Sequence, residues 1–222
     1  LPEIPFAPSV AWAEKFKADF LEVGNYLRDH NVRVVNMSWG DDQAEFEQWL
    51  SKTSTEKDAA KRKELAGQIY RVWRDAVSAA IQAAPNTLWV CAAGNSDSNA
   101  SFTGDVPASL ELPNLIAVGA VDQAGEETSF TSYGPTVFLY ADGYEVPSKV
   151  PGGTELQLSG TSMASPNVAN LAAKLIALDP KLTPAQTIAL MKESATAGKD
   201  NRVHLIDEKA AIALLHKQYP TK

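Results

Sequence analysis

Apolar residues first recur with a helical period and then gather into a short run. Between Ser9 and Asn31 they return every three or four positions and draw one apolar face: Trp12, Phe16, Phe20, Val23 and Leu27. The next segment, 32–37, is short and rich in β-branched residues, which predicts a strand. A helix followed at once by a strand indicates the crossover of an α/β protein.

The same alternation continues to the end of the chain. A polar segment begins at Asp41, and apolar spacing predicts a second helix over about 55–84. Short apolar runs predict three further strands, over 87–92, 114–121 and 137–141. The remainder predicts a hairpin-like stretch ending at Leu158 and then three helices, over 162–178, from Thr183 onward and over 206–216. Strands that alternate with helices favour a parallel sheet.

Composition indicates one globular domain and excludes several classes of partner. The 222 residues are 45% hydrophobic, enough to bury a core, and the net charge is -7. Scattered Lys and Arg residues under a negative net charge argue against nucleic-acid binding. No run of about 18 apolar residues is present, so no membrane span is expected. The first residues, 1–5, show no signal-peptide pattern.

Cys91 is the only cysteine, so no disulfide can form within the chain. It lies in the apolar run of 87–92, where a thiol usually packs as a small hydrophobic group. We therefore interpret Cys91 as a core residue and not as a nucleophile.

Two segments have compositions that suit an exposed turn with a reactive side chain. In 160–166, Gly160 permits a sharp turn and Ser162 falls at the start of a predicted helix, where the helix dipole favours a developing negative charge. In 92–95, a buried strand ends in small residues and presents Asn95, whose amide can donate to an oxyanion. Each residue alone is more simply explained, Ser162 as a helix cap and Asn95 as a turn residue. The two must be weighed together.

Five sequence blocks in a fixed order resemble those of the subtilisin-like serine proteases. The blocks are Val34–Gly40, Ala92–Asn95, Pro107–Ala108 leading to Ile116–Val121, Ser129–Pro135 and Gly160–Pro166. The last block, Gly-Thr-Ser-Met-Ala-Ser-Pro, is the most specific. The resemblance implies a subtilisin-like α/β fold with three layers, in which helices flank a mostly parallel sheet.

The resemblance also assigns roles to particular residues. It implies that Ser162 is the acylated nucleophile of a serine endopeptidase and that its N–H and the Asn95 side chain form the oxyanion hole. Polypeptide substrates would lie along a backbone segment and fill a pocket, the substrate-binding residues being Ser38, Trp39, Gly40, Ala92, Ala93 and Gly94. The bulk of Trp39 predicts a narrowed neighbouring subsite. Family members are often exported, so a secreted or periplasmic location is expected.

The resemblance does not extend to the rest of the catalytic triad. Acyl transfer by serine needs a general base, and the family's Asp and His motifs are absent from 1–32. The three histidines, His30, His204 and His216, fit structural or solvated positions better. We therefore expect 1–222 to be a partial peptidase domain without its N-terminal strands. The missing part would be in the same protein or in a separate chain, and the alternative is a non-catalytic peptide-binding relative.

Other features leave alternatives open. The interval between Gly40 and Asn95 is longer than is usual in the family, which predicts a helical insertion at about 41–74 that governs access or is simply solvated. The family often binds structural calcium through loop oxygens, but the residues define no metal site and no required cofactor. An α/β-hydrolase triad of Ser162, Asp200 and His204 would have the right order, yet it leaves the other four blocks unexplained.

Overall fold

Helices and strands alternate through most of the chain, as the apolar pattern predicts. The computed structural model describes residues 8–199 and 202–220. The helices are α1 (Val10–Asp29), α2 (Gln43–Thr53), α3 (Ala59–Ala83), α4 (Ala100–Thr103), α5 (Thr161–Leu178), α6 (Pro184–Ser194) and α7 (Glu208–Gln218). The strands are β1 (Val34–Met37), β2 (Leu88–Ala92), β3 (Leu115–Val121), β4 (Val137–Asp142), β5 (Val146–Lys149), β6 (Glu155–Leu158), β7 (Thr196–Ala197) and β8 (His204–Leu205).

Six strands form the main sheet in the order β1-β2-β3-β4-β8-β7. The pairs from β1 to β8 are parallel, and only β7 runs antiparallel to its neighbour. β5 and β6 form a separate antiparallel hairpin. The prediction of a mostly parallel α/β sheet is confirmed. The carboxyl ends of β1 and β2 lie side by side, with Met37 paired to Cys91.

Both faces of the sheet are buried because helices cover each of them. In β2, Trp89 and Cys91 pack into a core with α1, α2 and α3, whereas Leu88 and Val90 pack with α5, α6 and α7. Successive side chains of a strand point to opposite faces, so a strand covered on both sides reads as one apolar run. This burial explains why the segment 88–92 shows no polar alternation. The domain therefore has three layers, as predicted.

The polar segment after Asp41 is helical, which the apolar pattern did not predict. α2 begins after Asp42, whose side chain accepts from the Glu45 N–H while Glu45 accepts from the Asp42 N–H. This capping box stabilises the start of a helix. α2 then buries Phe46 and Leu50. The prediction of one helix over 55–84 was incomplete, because the large apolar residues of α2, Phe46, Trp49 and Leu50, span little more than one helical turn and are too few to show a period.

Asn114 joins the end of α3 to the sheet. It is buried, and its Nδ2 donates to the carbonyl oxygens of Ile81, Ala84 and Thr87 at distances of 3.1, 3.2 and 3.1 Å. The last carbonyls of a helix have no donor within the helix and need partners from outside. The Asn114 amide therefore satisfies three carbonyl oxygens of the turn that leads α3 into β2.

We predict that Asn114→Asp lowers the free energy of unfolding by about 2–4 kcal/mol, because a carboxylate would face three carbonyl oxygens without donating to any. Asn114→Ala should cost less, and Asn86→Ala, at an exposed position nearby, should change the free energy by under about 0.5 kcal/mol. Urea denaturation monitored by circular dichroism measures all three. Equal stability of Asn114→Asp and the wild type would contradict this role.

Candidate active site

The start of α5 is capped by a side chain from the neighbouring strand end. α5 has no cap from its own sequence, since Gly160 occupies the N-cap position. Asn95, which follows β2, accepts through Oδ1 from the Thr161 N–H at 2.8 Å and from the Thr161 hydroxyl at 3.0 Å. These two bonds fix the orientation of the Asn95 amide. Its Nδ2 is then the group that can donate to a ligand.

A proline inside α5 creates a carbonyl that another strand end satisfies. Pro166 has no N–H, so the Ser162 carbonyl, four residues earlier, cannot accept the usual helical bond. Ser38, which follows β1, donates its hydroxyl to that carbonyl at 2.8 Å. The Ser162 hydroxyl donates in turn to the Ser38 carbonyl at 3.2 Å. Ser38 and Ser162 are therefore joined by two bonds in opposite directions.

The Ser38 hydroxyl is itself held by a short network. Ser165 on α5 donates to the Asn36 side chain on β1, and Asn36 Nδ2 donates to Ser38 Oγ at 2.9 Å. The Ser38 hydroxyl accepts from Asn36 and donates to the Ser162 carbonyl, so the position of one group fixes the next. The start of α5 is thus tied to β1 through Ser38 and to β2 through Asn95.

The resulting geometry places two hydrogen-bond donors beside the Ser162 hydroxyl. Ser162 is the second residue of α5, and the first four N–H groups of a helix have no acceptor within the helix. The Ser162 N–H and the Asn95 Nδ2 are two donors at the positive end of the helix dipole. An oxygen that becomes negative next to Ser162 can accept from both.

The three histidines lie elsewhere in the described residues. His30 caps α1, stacks on Tyr26 at 3.9 Å between ring centroids and bonds to the Tyr26 carbonyl. His204 on β8 stacks on Phe138 at 4.1 Å, and His216 is exposed on α7. None of them lines the cavity that contains Ser162. Asp200, the acid of the alternative triad, lies outside the described residues.

A cavity of about 590 Å³ opens beside Ser162, within the range of about 300–1,000 Å³ usual for ligand sites. Four of the six residues predicted to bind substrate line it: Trp39, Gly40, Ala92 and Gly94. Ser38 instead bonds to Ser162, and Ala93 is fully buried and does not line the cavity. The Trp39 ring is held by Phe20 and Trp73 at centroid distances of 5.9 and 6.1 Å.

Asp105, which lines this cavity, and Asp41, which adjoins the lining residues Gly40 and Asp42, have strongly shifted pKa values. Burial, with the charges of Glu45 and Asp42, raises the pKa of Asp105 to about 7. Burial and a hydrogen bond with Glu45, with further negative charges nearby, raise the pKa of Asp41 to about 7. Burial also raises the pKa of the Cys91 thiol, which is fully buried, in keeping with its prediction as a core residue. The cavity is therefore an acidic site.

Comparison with known proteins identifies the family. The family model of the subtilases (Peptidase S8) matches residues 9–207, which is most of the chain. The chain belongs to the subtilase family. The resemblance seen in the five sequence blocks is confirmed.

Known subtilases align with part of this chain. Subtilisin from Bacillus pumilus is 40% identical over 115 residues, which cover 52% of this chain and 42% of that protein. A thermophilic serine proteinase from Bacillus sp. strain AK1 is 44% identical over 107 residues, which cover 46% of this chain and 25% of that protein. The match spans less than half the length of each relative.

Solved structures extend the similarity over more of the fold. A cold-adapted subtilisin-like serine proteinase superimposes with a TM-score of 0.63 at 26% identity, over 85% of this chain and 60% of that one. The self-cleaved protease domain of PatA gives a TM-score of 0.63 at 27% identity, over 90% of this chain and 68% of that one. These structures support the three-layer fold.

Within residues 8–199 and 202–220, no group of three or more His, Cys, Asp or Glu side chains is placed to hold a metal ion. No helix in this described part of the subtilase chain is long and apolar enough to cross a bilayer.

Asp105 is the residue of this cavity that the sequence did not reveal. It lies in a loop before Val106, and no pattern of spacing or composition marks it. The structure brings it to the cavity because the backbones of Asp41 and Val106 pair in an antiparallel bridge. This long-range contact places the Asp105 carboxyl near the end of β1.

We predict that Asp105→Asn raises the free energy of unfolding at pH 8 by roughly 1–3 kcal/mol. In the unfolded chain this carboxyl ionises near pH 4. Between about pH 4 and 7 the folded state therefore keeps a proton that the unfolded state has lost, and stability falls as pH rises through that window.

The increase in the free energy of unfolding of Asp105→Asn should consequently be absent near pH 4 and complete at pH 8. Urea denaturation at the two pH values measures it, with Asp75→Asn on the exposed surface of α3 as the control for a lost charge. A substitution that destabilises the protein equally at both pH values would show that the ionised carboxylate is not the source.

Proposed function

We propose that this chain carries the nucleophile and oxyanion hole of a serine endopeptidase. The observation that carries the proposal is the Asn95 amide, whose Oδ1 caps α5 so that its Nδ2 is available beside the Ser162 hydroxyl. A cap made only for stability would work with an aspartate as well. An amide adds a donor, and a donor is what an oxyanion requires.

In the proposed reaction, Ser162 Oγ attacks the carbonyl carbon of a peptide bond and loses its proton to a general base. The carbonyl oxygen becomes negative and accepts from the Ser162 N–H and Asn95 Nδ2. The tetrahedral intermediate then collapses to an acyl-enzyme on Ser162 and releases the amine, which takes the proton from the base. Water releases the acid in the reverse sequence.

We further propose that the general base and the acid that orients it come from polypeptide outside Leu1–Lys222, either in the same protein or in a separate chain. In support, no described histidine lines the Ser162 cavity. The Ser162 hydroxyl donates to the Ser38 carbonyl instead, a bond that a base must replace. Calcium binding and export remain proposals that rest on the family alone.

The proposed substrate is an extended polypeptide. Its backbone would lie against Ser38–Gly40, and the side chain before the scissile bond would enter the cavity between Gly40 and Gly94. The second candidate is a non-catalytic peptide-binding protein that uses the same cleft. The engagement of the Ser162 hydroxyl by Ser38 favours that candidate for the chain by itself.

A fluorophosphonate probe distinguishes the two candidates. We predict that it labels Ser162 in a version extended by the coding sequence upstream of Leu1, and that Ser162→Ala abolishes the label. Labelling of the 222-residue chain alone should be slower by a factor of at least about 10³, because the base is missing. Equal labelling of both versions would refute the external base, and no labelling of the extended version would favour peptide binding.

We predict that Asn95→Asp lowers kcat of the extended protein by about 10²–10³, a magnitude known from the oxyanion-hole asparagine of subtilisin itself and taken from it. Aspartate keeps an oxygen to accept from Thr161, so the cap and the melting temperature should be retained. Steady-state kinetics on a peptide substrate measures the loss. An unchanged kcat would remove Asn95 from the oxyanion hole.

A further inference from the structure

The Asp105 carboxyl lies between two strand ends that leave room for it. A Cβ added to Gly40, after β1, would lie 2.7 Å from Asp105 Oδ1, and one added to Gly94, after β2, would lie 3.0 Å from Oδ2. Both distances are shorter than normal contacts, so neither position has space for a side chain. The carboxyl thus fits into a slot whose walls are both glycine backbone.

Backbone contacts hold Asp105 in that slot. The Asp41–Val106 bridge fixes the residue that follows it, and the Tyr70 hydroxyl donates to the Gly104 carbonyl at 2.5 Å on the other side. The Asp105 N–H donates to the Ala100 carbonyl. Anchors on both sides therefore leave the carboxyl little freedom to turn away from the cavity.

No structural role within the described residues accounts for this carboxyl. Its Oδ1 is buried and accepts no hydrogen bond from residues 8–199 or 202–220. The two other acids that line the cavity, Asp42 and Glu45, form the capping box of α2 and so have a local function. An unsatisfied buried oxygen usually marks a place where a ligand or a water belongs.

The charge around Asp105 shows what that ligand would be. Asp42, Glu45 and Asp105 all line the cavity, and none of the described residues that line it is Lys, Arg or His. Acids this close repel one another, and a cation that enters relieves that repulsion. A basic group on a flexible stem would also contact the apolar wall formed by Ala92 and Trp39.

We propose that Asp105 is a specificity determinant that receives the guanidinium or ammonium of an Arg or Lys side chain immediately before the scissile bond. The proposal rests on the proposed function, because it takes Ser162 and Asn95 to mark the position of that bond. The charged side chain enters between Gly40 and Gly94 and donates to the unsatisfied carboxylate. A neutral side chain of the same size leaves Asp105 without a donor.

Peptide binding tests this without requiring cleavage. The binding experiment uses the version extended by the coding sequence upstream of Leu1, with Ser162→Ala, in buffer at pH 8 with EDTA. Two labelled peptide pairs are compared by fluorescence anisotropy, one with arginine or its neutral isostere citrulline before the cleavage position, the other with lysine or norleucine. We expect the charged member of each pair to bind about 10- to 100-fold more tightly.

Matched variants locate the source of the preference. Asp105→Asn should bring both affinity ratios close to one. Asp75→Asn, which removes one negative charge on the exposed surface of α3 and outside the cavity, should change them less than about threefold. Because Asp105→Asn is expected to stabilise the fold, loss of the preference through unfolding would be visible as a lower melting temperature.

Each result has one consequence. Ratios near one when Asp105 is present, or ratios that persist in Asp105→Asn, overturn the proposal, as does a preference that Asp75→Asn removes equally. If the preference depends on Asp105 but the fluorophosphonate probe does not label the extended protein with Ser162 intact, the result would support the basic-residue site and refute the peptidase. Cleavage by the extended protein without a preference for Arg or Lys before the scissile bond would support the peptidase and refute the basic-residue site.

Discussion

The site depends on one carbonyl oxygen that its own helix cannot satisfy. Pro166 removes the donor that the Ser162 carbonyl would use, and the Ser38 hydroxyl replaces it from the end of β1. At the same time Asn95, from the end of β2, accepts the first N–H of α5. A helix whose start is bonded to two adjacent strand ends cannot slide or rotate without breaking both sets of bonds. This constraint gives Ser162 a fixed place over the parallel sheet.

The same two strand ends enclose the acidic cavity, and here stability and function oppose each other. Two carboxyl groups, Asp41 and Asp105, have pKa values raised to about 7 because they are buried near other acids. Above about pH 7 the folded state would be more stable without the negative charges of these two carboxylates. An unsatisfied carboxyl beside Ser162 is best explained if, as proposed, a substrate supplies the missing cation, and the bare backbones of Gly40 and Gly94 give that carboxyl its space.

Sequence patterns predicted the layers of the fold better than they predicted the contacts between residues distant in sequence. The apolar face of α1 and the β-branched and apolar strands follow from burial, which repeats with the period of each element. α2 escaped detection, although Asp42 and Glu45 have the spacing of a capping box. The roles proposed for Ser162 and Asn95 come from resemblance, since no local rule brings two residues so far apart in sequence together. Asp105 was missed because long-range contacts, such as the pairing of Asp41 with Val106 and the bond from Tyr70 to Gly104, bring it to the site.

The proposed function requires Asn95 and the start of α5 to form one preorganised oxyanion hole. A crystal structure of the extended protein with a phosphonate bound covalently to Ser162 Oγ tests this geometry. We expect one phosphonyl oxygen to accept from both Asn95 Nδ2 and the Ser162 N–H at about 2.7–3.1 Å, with Ser38 and Thr161 unmoved. A phosphonyl oxygen directed away from Asn95, or an Asn95 side chain that has left Thr161, would contradict it.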